Sequence, residues 1–207
     1  MYLPEHFHES DATQIDALVR AFPLACIVAQ TADGLVANHI PLLMPDPTVL
    51  IGHIAHNNDM HRHLSEGHEV LAIFRGEDAY VSPNLYPSKA ETHRAVPTWN
   101  YQAVHIYGSI SFQHDDKTKR AAVGKLTKNQ ETLANGAEAW RMSDAPTDYM
   151  ATMLDSIVAF RISVRKVLAK SKISQNRSIA DVQSVHRSVE DRGLTHMAAA
   201  MRRRLEG

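Results

Sequence analysis

Four histidines fall within eleven residues of this chain: His53, His56, His61 and His63, with Asp59 among them. Imidazole is a common metal ligand, so zinc or haem iron is the first chemistry such a cluster suggests. The spacing, HxxH and then HxH, is not that of a closed zinc site, and no second cysteine is near. His61 and His63 would leave different sides of the short helix expected there. No metal site is expected.

Four stretches carry more polar and aromatic character than strands and turns require. They are 38–41 (NHIP), 52–58 (GHIAHNN), the run from Tyr80 through Tyr101, and 172–177 (KISQNR). The lone cysteine, Cys26, sits in the apolar run 24–29 and reads as a small core hydrophobe rather than a reactive thiol. Arg202, Arg203 and Arg204 follow Met197 and Met201 at helical spacing, which gives an amphipathic helix with a basic end. Arginines there complement the helix dipole; contact with DNA is the alternative. No helix-turn-helix stands out, and a formal net charge of −1 gives no general pull toward nucleic acid.

The elements that must hold these residues are mostly strands. Asp11 with Gln14 opens a helix carrying Ile15, Leu18, Val19 and Phe22, which Pro23 stops. Strands follow over 24–30 and 35–43, joined through Asp33-Gly34, with a third over 49–54. Asn58 caps a short helix with Met60 and Leu64, ended by Gly67. Two strands, 70–74 and 79–82, flank Arg75 to Asp78, and residues 83–98 form a polar loop containing Pro83, Pro87 and Pro97. A structureless loop of that length inside a domain tends to be functional. Strict alternation predicts strands over 104–112 and 158–164, and helices are expected over 115–135, 147–154, from Ser178 to Gly193, and from Thr195 through Leu205. Six or seven strands in hairpin order with inserted helices describe a mainly β, α+β fold closed as an antiparallel barrel.

The chain of 207 residues is long enough for a real core. No apolar run reaches membrane-spanning length and the N-terminus lacks a basic and apolar leader, so a cytoplasmic location is expected, with no membrane partner. The division expected is a barrel over 1–175 with a helical appendage, 176–207, packed on it.

The run 79–89 (AYVSPNLYPSK), then 96–101 (VPTWNY), and later 172–177 resemble the signatures of the PaiB family. The opening Met1-Tyr2-Leu3-Pro4 and the 38–41 segment are similar to it too, so the likeness covers nearly the whole chain in order. The resemblance implies an FMN-binding split barrel with inserted and C-terminal helices, homodimeric, holding FMN at the dimer interface. It also implies a bacterial negative transcriptional regulator. An FMN-dependent oxidoreductase of small substrates, or a flavin-free haem-binding or metal-binding relative, are the alternatives on such a barrel, and no catalytic residue is named.

Under that reading the phosphate takes Ser88, Lys89, Thr98, Asn57 and Asn58, which offer a cation and hydroxyl or amide donors. Tyr86, Trp99 and Tyr101 wall or stack on the isoalloxazine, and Asn100 and Gln175 bond its edge. His39, Ser82 and Lys172 complete the expected set. Competing readings stand beside these: interface packing for Trp99, a solvated loop charge for Lys89, strand ends for His39 and Ser82, and a strand end before a helix cap for 172–177. The family commonly carries an arginine near the position of His56, so a phosphate ligand is weaker there.

Overall fold

Residues 1–206 are described by a computed structural model. Eight strands form one antiparallel sheet whose main path runs β3-β2-β6-β7-β8-β5-β4, with β1 paired to β8. These are β1 (His8–Glu9), β2 (Leu24–Thr31), β3 (Gly34–Pro41), β4 (Leu43–Asp46), β5 (Val49–Ala55), β6 (His68–Val81), β7 (Thr98–Gln113) and β8 (Ile157–Lys172). The helices are α1 (Ala12–Ala21), α2 (Met60–His63), α3 (Lys89–Thr92), α4 (Asp116–Asn135), α5 (Thr147–Asp155), α6 (Ile179–Asp191) and α7 (Thr195–Glu206). Backbone contacts group the chain into two units: residues 1–22, 74–105 and Leu168 onward, and residues 23–73 with 106–167.

In the second unit, β2 and β3 make the expected hairpin, with register running from Leu24↔Pro41 to Thr31↔Gly34. The turn residues are therefore Ala32-Asp33, one position earlier than expected. Gly34, at φ 112°, closes the turn, and the Thr31 hydroxyl donates to its carbonyl. Alternation on β2 buries Ala25, Ile27 and Ala29, which face the core with Leu50, Ile54, Val70, Ile106, Ile110 and Phe160. Close approach makes Gly108 obligatory: a Cβ there would lie 2.4 Å from the Ser163 carbonyl oxygen.

Several strands depart from the sequence reading: β1 has no counterpart there, and β7 and β8 run well past the expected 104–112 and 158–164. The single strand expected over 35–43 is two, β3 and β4, broken at Leu42. The two strands expected around Arg75 to Asp78 are one, β6. The polar residues at 75–78 do not loop out, because Gly76 is buried under α1, where a Cβ would meet Leu18 at 3.4 Å. The Arg75 and Asp78 side chains pair with each other. The expected loop 83–98 is also more ordered: a 3-10 turn at Pro83–Leu85 and α3 precede β7, which starts at Thr98.

In the first unit, α6 and α7 bury a common cluster. Val182, Val185 and Val189 recur on one face of α6, and Met197 and Met201 recur on α7. They meet Ala79 and Val81 of β6, Tyr86 and Ile173. Full burial of each such side chain contributes about 1.5–3 kcal/mol. Ser178 caps α6, its hydroxyl accepting from the Asp181 N–H, but the Asp181 carboxylate reaches elsewhere, to Ser88. α1 is capped by Asp11, which accepts from Thr13 N–H.

Candidate functional site

The first unit concentrates the polar candidates where β7 begins and β8 ends. Thr98, Asn100 and Gln102 alternate along β7. The Lys172 ammonium donates to the Thr98 hydroxyl. The Asn100 amide pairs with the Ser174 hydroxyl, fully buried, and the Gln102 amide nitrogen donates to the Ser171 hydroxyl at 3.1 Å. Gln102 Oε1 is buried without a partner. Ser174 sits at φ 66°, in the left-handed region that a side chain disfavours. Gln175 braces this turn by accepting from Ile173 N–H and donating to the Ser171 carbonyl.

Three cations crowd this region. Lys170 is buried, its Nζ over the rings of Tyr101 at 5.2 Å, Tyr2 at 5.5 Å and Phe7 at 5.9 Å. Lys172 Nζ lies 5.9 Å from the Phe7 centroid, and the Arg177 guanidinium lies 4.7 Å above Tyr86. None of the three has a carboxylate within ion-pair distance among the described residues. Burial pushes the Lys172 ammonium below the ordinary lysine range; Tyr101 opposes that shift, and the charges of Lys170 and Arg177 add to it. Unpaired, partly desolvated cations of one sign are a place for an anion.

Other candidates have partners outside this cation group, although Arg177 reaches both Tyr86 and Asp181. Both the Ser88 hydroxyl and its N–H donate to the buried Asp181 carboxylate. Burial works against that charge, but the Ser88 and Ser178 hydrogen bonds and the Arg177 charge together hold the carboxyl below its usual range. A phosphate at Ser88 would meet this carboxylate. Lys89 Nζ donates to the Asn84 side chain at 2.6 Å, and Ser82 accepts from Asn84 N–H. Tyr86 is buried with its hydroxyl unpartnered. Trp99 is 53% exposed and meets the exposed Tyr80 edge to face at 5.8 Å.

His39, Asn57 and Asn58 belong to the second unit. Asn58 is structural there: it donates to Asn38 Oδ1 at 2.9 Å and accepts from Met60 N–H. Asn57 and His39 are exposed, His39 opposite Cys26 on the neighbouring strand. His61 bonds the His56 carbonyl and lies near the His56 and His114 rings. Burial pushes the His53 imidazole toward its neutral form. Among the described residues no three His, Cys, Asp or Glu side chains are grouped to hold a metal ion.

The sequence reading missed Lys170 and left Arg177 inside a stretch without a role. The signal was present: Lys170 is two residues before Lys172 on one strand, which puts both side chains on one face.

The fold is that of the flavin-binding split barrels. It superposes on the flavocytochrome Anf3 from Azotobacter vinelandii with a TM-score of 0.61, 13% identity and coverage of 82% of this chain and 72% of that one. The FAD and heme binding protein from Mycobacterium smegmatis matches with a TM-score of 0.59, 18% identity and coverage of 80% and 73%. At those identities the likeness is one of fold.

Sequence narrows this to a family. Residues 1–166 match the family model described as "Putative FMN-binding domain". The chain is 31% identical over 188 residues to Protease synthase and sporulation protein PAI 2 of Bacillus subtilis (strain 168), covering 89% of this chain and 87% of that protein. An uncharacterized protein of Emericella nidulans is 28% identical over 93% of this chain and 92% of its own length. The chain belongs to the PaiB family of FMN-binding split-barrel proteins, and FMN is its cofactor. The residues present fit that group: three unpaired cations, aromatic rings beside them, and orphaned polar atoms on Gln102 and Tyr86.

Proposed function

We propose that this protein is an FMN-binding negative transcriptional regulator, and that Lys172, Lys170 and Arg177 hold the negative charge of the flavin. The observation that carries the flavin placement is the cation group itself, in which Lys170 and Lys172 have no carboxylate within ion-pair distance among the described residues and Arg177 shares its charge with Asp181 at longer range. Thr98 orients the Lys172 ammonium, and Tyr101 and Tyr86 supply ring faces beside Lys170 and Arg177. Asn100 and Gln175 hold the Ser171–Ser174 backbone in shape, while the free Gln102 Oε1 is an acceptor for the ring edge. Of the remaining candidates, Lys89, Ser82 and Trp99 lie in the same unit and stay in the proposed site as outer contacts, whereas Ser88 is committed to Asp181, and His39, Asn57 and Asn58 belong to the second unit. Bound FMN would supply one- or two-electron chemistry, and the chain's part is to bind and orient it.

The exposed Tyr80–Trp99 pair, with Val96 67% exposed nearby in sequence, supports a homodimer, since a second copy would cover these rings. Titration of flavin-free protein with FMN, read by flavin fluorescence, tests the reading. Stoichiometric binding that weakens with Lys170→Gln or Lys172→Gln supports it, and equal affinity in both variants overturns the placement. Sedimentation as a monomer at micromolar concentration overturns the dimer. Steady oxidation of NADH or NADPH by the loaded protein would favour the oxidoreductase instead.

A further inference from the structure

A cleft of about 640 Å³ opens between α4 and the chain that follows it. It lies wholly in the second unit, which contains none of the three cations described above. α4 has two faces. Ala122 and Leu126 point into the core, whereas Thr127, Lys128 and Thr132 line the cleft with Gly124. Opposite them come Trp140, Arg141 and Ser143. Gly136, at φ 54°, lets the chain end α4 and fold back along it.

The chemistry of the walls is one-sided. No aspartate or glutamate lines the cleft, and neither Lys128 nor Arg141 pairs with a carboxylate among the described residues. Three carboxylates flank the lining in sequence: Glu138 is exposed, Asp144 accepts from the Arg141 N–H at 2.8 Å, and Glu131 is likewise used. One of its oxygens accepts from Asn135 Nδ2 at 2.7 Å and from the Trp140 N–H at 3.0 Å. That link fixes the backbone carrying the indole, which is 41% exposed. An aromatic face, two cations and three hydroxyls therefore converge on one space.

We propose that this cleft binds a small planar aromatic anion, at a site separate from that of the flavin. The indole takes the ring face, Lys128 and Arg141 take the negative group, and the hydroxyls of Thr127, Thr132 and Ser143 bond its oxygens. Glu131 is a positioning residue that holds Trp140 in place.

Isothermal titration of the full chain with nicotinate tests the site, with nicotinamide as the neutral control and acetate as the anion without a ring. Saturable one-to-one binding of nicotinate is expected, at least roughly tenfold tighter than either control. Lys128→Gln and Arg141→Gln should each weaken it roughly tenfold, and Trp140→Ala should abolish it. Both charge variants alter exposed side chains, so their melting temperatures and FMN affinities should match those of the parent. No saturable heat up to about 10 mM nicotinate overturns the proposal. Equal binding by the charge variants overturns it too. Loss of nicotinate binding on loading the protein with FMN would assign the signal to the flavin site and overturn a separate one.

Discussion

Replacing Lys172 by glutamine should move two quantities in opposite directions. The lysine is part-buried, bonded to Thr98, and crowded by Lys170 and Arg177 with no carboxylate partner. A charge-assisted bond to the flavin is worth about 1.5–3 kcal/mol, so its loss should raise the FMN dissociation constant roughly tenfold to hundredfold. Without flavin the same charge is a burden. A lysine whose folded pKa lies below its unfolded value of about 10.4 penalises folding while both states are charged. That penalty is relieved only as pH rises through the folded pKa. Flavin-free Lys172→Gln should therefore melt no lower than the parent at pH 7, and the parent alone should gain stability as pH climbs toward 10.4. Fluorescence titration and thermal melts across pH on the same preparations provide both readings. An unchanged FMN affinity, or flavin-free melting that drops along with affinity, would refute the reasoning by making Lys172 an ordinary packing residue.

Gly108→Ala should destabilise the protein by about 3 kcal/mol in chemical denaturation, because the added methyl group meets backbone that cannot swing away; a loss under about 0.5 kcal/mol would contradict that packing. Asp181→Asn should cost about 1–2 kcal/mol at neutral pH by weakening the bonds from Ser88. Since the Asp181 folded pKa is depressed, its contribution is present above the unfolded value of about 3.9 and fades as pH falls through the folded one. The variant and parent should then converge in urea melts at low pH, and a constant difference at all pH would contradict the linkage. The protein alone should bind duplex DNA weakly and with steep salt dependence, so the proposed regulation would act indirectly, through flavin or metabolite chemistry or a partner protein. Arg202 is paired with Glu190, and Arg203 and Arg204 share their cleft with Glu9 and Asp11, so few arginines are free for phosphates. Tight, sequence-selective mobility shifts at physiological salt would refute this.

Much of the architecture was legible because its causes are local. The cap residues Asp11, Asp115 and Ser178 hydrogen-bond backbone N–H groups two or three residues on, so helix starts could be read from residue type. The β2–β3 hairpin followed from its alternation and Asp-Gly signal, and the family resemblance followed from ordered motifs, independent of any geometry. What the tertiary structure decided concerns partners far apart in the chain. Whether Arg75 to Asp78 loops out depends on α1 and β7 residues packed at Gly76, and a strand interior carrying polar residues resembles a turn until that packing is known. Ser88 looked like a phosphate donor because residue type cannot reveal an acid 93 positions away; its commitment to Asp181 is made only by folding. Lys170 was passed over for the converse reason. A lysine on a strand reads as solvated, and only the arrival of Tyr2, Phe7 and Tyr101 around it turns an ordinary surface charge into a buried one with no counter-ion.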